Sequence, residues 1–123
     1  MDETTPAPHT PPRPQPQRIG IDRFSETELR VARVLEVEKV VNADRLLRLQ
    51  VDLGNEKRQL VAGIAAAYAP EKLIGKLVIV VANLEPARIR GVESQGMLLA
   101  ADLGGRPIVA TFDEDVAPGT RVR

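Results

Sequence analysis

Residues 47–53 read Leu47-Arg48-Leu49-Gln50-Val51-Asp52-Leu53. Apolar and polar side chains alternate without a break, the pattern of an extended strand with one face buried and one wet. Gly54-Asn55-Glu56-Lys57 follows as a hairpin connection by composition, and residues 58–64 form the returning strand. Gly63 marks a bulge or a close approach of backbone. A hairpin wet on one face needs a sheet to complete its dry side, so the rest of the chain is read for further strands.

Residues 29–37 are rich in β-branched side chains, with Leu29, Val31, Leu35 and Val37 on one side and Arg30 and Glu36 on the other. Arg33 interrupts the apolar side. A long first strand that switches faces part way is expected when a sheet curls into a small barrel. Asn42-Ala43-Asp44 is a turn signal, because Asn and Asp bond their own backbone. Residues 65–69 are ambiguous between helix and loop. Pro70-Glu71-Lys72-Leu73-Ile74-Gly75 reads as a short helical turn with Pro at its start and Gly at its end. Residues 77–82 are continuously apolar and suit a strand covered on both faces. Residues 95–101 and 107–112 are read as further strands. Asp113-Glu114-Asp115 is a solvated acidic turn, and residues 116–122 close the chain around a Pro118-Gly119 turn. Near the front, Ile21 and Phe24 serve as apolar anchors, and residues 24–28 form one helical turn capped by Ser25. The sum predicts an all-β fold: a five-stranded oligonucleotide/oligosaccharide-binding (OB-fold) barrel with one short helical turn and extra C-terminal strand segments. A β-sandwich is the competing architecture, and the helical turn ahead of residue 77 favours the barrel.

Composition bounds what such a barrel can do. The first 17 residues carry six of the ten prolines and no apolar periodicity, so residues 1–18 are read as a disordered or polyproline-like tail or linker. A proline-motif ligand for a partner domain is the alternative reading. Residues 19–123 remain as one domain. There is no Cys, and the only His, His9, lies in the tail. Thiolate chemistry and Cys-based metal sites are excluded, and no His is left in the domain for acid-base work or zinc. An all-carboxylate site stays open in principle. No nucleophile elbow, phosphate-binding loop or dinucleotide fingerprint occurs. The reading is therefore a non-catalytic protein with no cofactor and no metal. No apolar run is long enough to span a membrane and no signal peptide is seen, so a cytoplasmic location is expected. Lys plus Arg equals Asp plus Glu at 17 each, which argues against nucleic-acid binding by bulk charge but leaves a local patch open. Phe24, Tyr68 and Phe112 are the only aromatics. Stacking platforms for single-stranded bases are nearly unavailable.

The polar segment between the later strands carries the binding reading. It runs Asn83-Leu84-Glu85-Pro86-Ala87-Arg88-Ile89-Arg90-Gly91-Val92-Glu93-Ser94-Gln95-Gly96-Met97. Arg88 and Arg90 are two apart, so in an extended segment they project the same way while Ile89 points back to the core. Two guanidiniums on one face can each fork onto a phosphate. Arg45, Arg48, Lys57 and Arg58 would enlarge the patch if their loops fold beside it. Asn83 and Ser94 offer hydrogen bonds to bases or ribose, and Met97 a soft apolar contact. The plain alternatives are wet-face solvation for the arginines, a turn-capping Asn, a turn Ser and a core Met.

That segment, read as Asn83-Leu84-x-Pro86-x-Arg88-x-Arg90-Gly91-x-x-Ser94-x-Gly96-Met97, closely resembles the signature of the tRNA-binding domain family. The family is found at the C-terminus of methionyl-tRNA synthetases, as free-standing dimeric tRNA-binding proteins and as secretion chaperone-like proteins. Asn42-Ala43-Asp44-Arg45-Leu46, Val51-Asp52-Leu53-Gly54, Ala62-Gly63-Ile64 and Phe24-x-x-x-x-Leu29-Arg30-Val31 resemble its other blocks, so the likeness covers residues 19–123. The resemblance implies the five-stranded barrel, a homodimer, and structured tRNA as partner with little dependence on the anticodon. It implies Asn83, Arg88, Arg90, Ser94 and Met97 as the RNA-facing set, with Asn42 and Arg30 beside them. It also implies association with a methionyl-tRNA synthetase catalytic chain, to which the Pro-rich start would be a tether; Met1 equally allows an independent small protein. A chaperone-like module taking unfolded polypeptide and a pure dimerisation module are the alternatives. Glu85 and Ala62 depart from the lysine and serine that the family often carries. Glu85 replaces a phosphate partner with a repulsive charge, and weaker tRNA binding is expected.

Overall fold

A computed structural model describes residues 17–123. All but two residues of the tail assigned to 1–18 lie outside the described residues. The elements are a four-residue helix α1 (Ile21–Phe24), strands β1 (Leu29–Val40), β2 (Ala43–Asp52) and β3 (Lys57–Ala62), and a 3-10 turn at Pro70–Lys72. After it come β4 (Leu77–Val81), β5 (Ala87–Ile89), β6 (Val92–Ser94), β7 (Met97–Leu98), β8 (Ala100–Leu103), β9 (Arg106–Val109) and β10 (Arg121–Val122). The main sheet runs β3-β2-β1-β4-β7, with β10 added on β1, and two hairpins, β5–β6 and β8–β9, stand beside it.

β1 organises the sheet because its partners change along its length. Residues Leu29 to Arg33 pair antiparallel with β4, and Arg33 to Val40 pair with β2. The register slips between Val34 and Glu36, which is a bulge at Leu35. A bulge bends a strand and raises its twist, so the buried face changes sides there. Val31, Ala32 and Val34 are buried before it, and Val37 is half-buried after it. The face switch expected where Arg33 interrupts the apolar side is thus present, with its bulge at Leu35. The bonds around the bulge are completed from the 3-10 turn region: Gly75 N donates to Val34 O at 2.8 Å and Val34 N donates to Lys76 O at 3.0 Å.

β2 keeps the alternation that its sequence shows, with Leu47, Leu49 and Val51 fully buried. β4 buries Leu77, Val78, Val80 and Val81. Val78 and Val80 join Leu60, Leu73 and Leu98 in an aliphatic core, and Tyr68 packs at its edge with its hydroxyl accepting from Val109 N at 3.0 Å. The sheet curls until β3 meets the residues just after β6. Gln95 N donates to Gln59 O at 2.8 Å, and Gln59 N donates to Gln95 Oε1 at 3.1 Å.

The C-terminal segment crosses the β2–β3 turn with backbone against backbone. A Cβ on Gly119 would lie 2.5 Å from Leu53 O, and φ there is +91°. Only glycine fits such an approach. Beyond it Val31 N donates to Thr120 O at 2.9 Å, and Val122 pairs with Leu29.

Three local expectations are corrected. Ser25 ends a helix rather than beginning one: its hydroxyl donates to Ile21 O at 2.8 Å, one turn back. Ile21 and Phe24 are not anchors, being 74% and 44% exposed. The strand expected over 95–101 is divided: Met97 and Leu98 pair with β4, Leu99 N–H still donates to Ile79 O, and from Ala100 the chain pairs with β9 instead, in the β8–β9 hairpin. Gly104 and Gly105, both at positive φ, make that two-residue turn.

Candidate nucleic-acid interface

The polar segment folds into the β5–β6 hairpin, in register Ala87 to Ser94, Arg88 to Glu93 and Ile89 to Val92. A two-residue loop, Arg90-Gly91, closes it with φ of 52° and 81°. Left-handed backbone at both positions is the geometry that matches strand twist. Gly91 takes it freely, whereas Arg90 is held there at a cost of roughly 1–2 kcal/mol. All of residues 83–91 are exposed. Arg88 Nη1 donates across the turn to Gly91 O at 2.8 Å.

Facing the hairpin is the connection between β1 and β2, where Asn42 also has positive φ, 61°. The two turns enclose an open cleft of about 670 Å³, lined by residues 42–46 on one side and 88–90 on the other. Arg45, Arg88 and Arg90 are among the lining residues, together with Asp44. Among the described residues the ion pairs are Arg30–Glu28, Arg33–Asp115, Arg48–Glu38 and Arg58–Glu56. None involves the three arginines of the cleft. Three arginines and one aspartate in its lining leave the cleft locally cationic in a chain of zero net charge.

Arg88 and Arg90 do share a surface, but not by strand alternation, since Arg90 lies in the turn. Ile89 does not return to the core. It is 37% exposed and lines the cleft, because the two-stranded hairpin has no second layer over it. Of the expected site residues, the cleft brings together Asn42, Arg88 and Arg90, and adds Arg45. The other four lie outside its lining. Asn83 staples the N-terminal segment: its Oδ1 accepts from Glu28 N at 2.8 Å, and its Nδ2 donates to Glu26 O at 2.6 Å. Ser94 is 4% exposed; its Oγ accepts from Val61 N and donates to Gly96 O, both at 2.9 Å. Arg30 donates to Gly119 O at 3.0 Å and pairs with Glu28 at 2.9 Å. Met97 is half-exposed on β7.

Two further residues set the hairpin's position, a role that the sequence does not announce. Gln59 Nε2 donates to Glu93 O at 2.8 Å, and Arg48 Nη1 donates to Gln59 Oε1 at 3.0 Å. Arg48 also pairs with Glu38 at 2.9 Å, so a polar strut runs from β1 through β2 and β3 to β6. The alternation that puts Arg48 on the wet face is the one signal that points to it. Arg58, expected to add to the cationic patch, instead donates to the carbonyls of Ala82 and Gln95. Its hydrogen bond, and then its charge, hold the Glu56 carboxyl below the usual carboxylate range. Among the described residues, no three His, Cys, Asp or Glu side chains cluster so as to hold a metal, and no helix is long and apolar enough to cross a membrane.

A curled aliphatic sheet with arginines on two facing turns, outside the ion pairs of the described residues, is the class of protein that the fold and cleft define. Comparison with known proteins makes that class specific. Residues 29–121 match the family described as "Putative tRNA binding domain", and the chain belongs to that family. It is 59% identical over 104 residues to the methionine–tRNA ligase of Thermotoga maritima, covering 85% of this chain and 16% of that protein. It is 49% identical over 108 residues to the Archaeoglobus fulgidus methionine–tRNA ligase, covering 88% of this chain and again 16% of that protein. Among solved structures, a MetRS-related protein from Pyrococcus horikoshii superposes with TM-score 0.83 at 40% identity, covering 87% of this chain and 99% of the other. The chaperone CsaA from Bacillus anthracis gives TM-score 0.80 at 26% identity, covering 87% of this chain and all of that one. The resemblance read from the sequence is thus to the family that the comparisons find. The chain matches an accessory, non-catalytic part of the synthetases.

Proposed function

We propose that this domain binds folded tRNA through phosphate and shape contacts, in the cytoplasm, as an accessory module of a methionyl-tRNA synthetase. The observation that carries the proposal is the cleft: Arg45, Arg88 and Arg90 converge on it and take no part in the ion pairs of the described residues. Guanidiniums left unneutralised at an exposed hairpin tip suit bidentate phosphate contacts. Such contacts act on RNA by geometry, with few aromatic platforms needed. Asn42, Arg45, Arg88 and Arg90 are the proposed contact set, with Met97 as a peripheral apolar contact. Asn83, Ser94 and Arg30 support it by fixing the segments on which it stands. As a homodimer, a pair of these modules would raise the local tRNA concentration around two catalytic chains. The exposed apolar side chains of Ile21, Phe24 and Leu84 favour a dimer contact.

Filter binding of the full chain to several tRNA species tests the reading. The expected result is comparable affinity across species and a steep loss with salt. The likeness to CsaA favours a second reading, a chaperone-like dimer that takes unfolded polypeptide. That reading expects suppression of aggregation of a model client that excess tRNA does not compete away.

A further inference from the structure

We propose that the cleft between residues 42–46 and the β5–β6 hairpin holds one unpaired nucleotide of the bound RNA, its base against Ile89 and its phosphate on the arginines. This rests on the tRNA-binding reading and refines it. Contact with helical RNA alone asks only for cations spaced along a phosphate backbone. The cleft holds more than that. Ile89, 37% exposed, and half-buried Leu46 form an apolar wall inside the same space as Arg45, Arg88 and Arg90. Apolar surface left facing water is unfavourable, and the flat face of an unstacked base is a covering that fits between an aliphatic side chain and a guanidinium plane.

The polar groups point the same way. Asp44 would repel a bare phosphate filling the cleft, but its carboxylate accepts from a base amino group or a ribose hydroxyl. Asn42 stands at the lip in left-handed backbone, and its side chain brings both an amide donor and a carbonyl acceptor. A nucleoside satisfies both residues, whereas an inorganic anion satisfies neither fully. The cleft volume, about 670 Å³, lies within the ~300–1,000 Å³ range of small-molecule sites. Arg90 also borders a second depression with Lys39, Val92 and the paired Glu38 and Arg48, so a strand leaving the cleft would pass Lys39 as a further cation outside the ion pairs of the described residues. The left-handed backbone that places Arg90 between the two is a cost of the kind that gathers at ligand-holding positions.

The test compares the full chain on a short blunt RNA duplex and on the same duplex with one bulged nucleotide. The wild type is expected to bind the bulged RNA about fivefold tighter, the gain from covering about 40 Å² of apolar surface. Ile89→Ser should abolish that preference while leaving affinity for the blunt duplex and its salt dependence unchanged. Asn42→Gly, which keeps the left-handed turn, should reduce the preference in the same assay and serves where Ile89→Ser fails to fold. Equal binding of the two RNAs by the wild type overturns the inference, as does a preference undiminished in the folded variants. Tight tRNA binding without any bulge preference sinks this inference alone. Failure to bind tRNA at low salt sinks the tRNA-binding reading with it.

Discussion

Ser94 lies inside the segment that carries the binding signature, yet its hydroxyl works for the fold. It is 4% exposed, accepts from Val61 N and donates to Gly96 O. Ser94→Ala removes one oxygen and leaves a buried N–H and a carbonyl without partners. Each orphaned group costs about 1–3 kcal/mol, so with partial relaxation the pair should cost about 2–4 kcal/mol. For a domain of this size each kcal/mol moves the melting midpoint by about 4–8 °C, so a fall of roughly 10–30 °C is expected. Thermal melts followed by circular dichroism measure it. A tRNA titration at a temperature where the variant is still folded should show affinity changing far less than stability. An unshifted melt accompanied by a loss of tRNA affinity would refute this assignment and return Ser94 to the RNA surface.

Gly96→Ala should be strongly destabilising, because φ is +146° and a Cβ would lie 2.9 Å from Val81 O. A loss of at least about 2 kcal/mol is expected, read as a lower urea midpoint at unchanged slope. Glu85→Lys exchanges a repulsive charge for a phosphate partner on an exposed segment. It should tighten tRNA binding and steepen its salt dependence by about one unit; an unchanged titration would remove Glu85 from the electrostatic account. Glu56 has its folded pKa depressed by Arg58, so its contribution is present above the ordinary carboxylate range and is lost as pH falls through the lowered value. Glu56→Gln should therefore slightly lower stability at neutral pH and match the wild type in strong acid. Melts across pH check the sign.

Where a local pattern has one structural meaning, the sequence can be read directly. The alternation at 47–53 becomes β2, and the strand that Arg33 interrupts is bulged and changes faces, at Leu35. Pro70 and Gly75 bracket the 3-10 turn and the reversal after it. What fails depends on tertiary partners. Ile21 and Phe24 look like core residues until the structure shows nothing over them. Residues 95–101 look like one strand because no local signal reports that the partner changes from β4 to β9 after Leu99. The Gly104-Gly105 pair is the exception, a hairpin signal of local composition that marks the β8–β9 turn. At the site, residue type cannot separate a polar group facing solvent from one consumed inside. Asn83 and Ser94 have the chemistry to touch RNA, and only the positions of Glu26, Glu28, Val61 and Gly96 show where their hydrogen bonds go.

In the proposed function a neutral chain grips a polyanion through three guanidiniums at facing turns that stay outside the ion pairs of the described residues, and salt reads that most directly. The measurement is the slope of log affinity for tRNA against log salt concentration, in wild type and in Arg45→Gln/Arg88→Gln/Arg90→Gln, with melts confirming that both are folded. Removing one guanidinium–phosphate pair should flatten the line by about 0.7–0.9, so the triple variant should be shallower by about two units. Parallel lines of equal slope would mean that the cleft's arginines do not meet phosphate, and that the binding surface lies elsewhere.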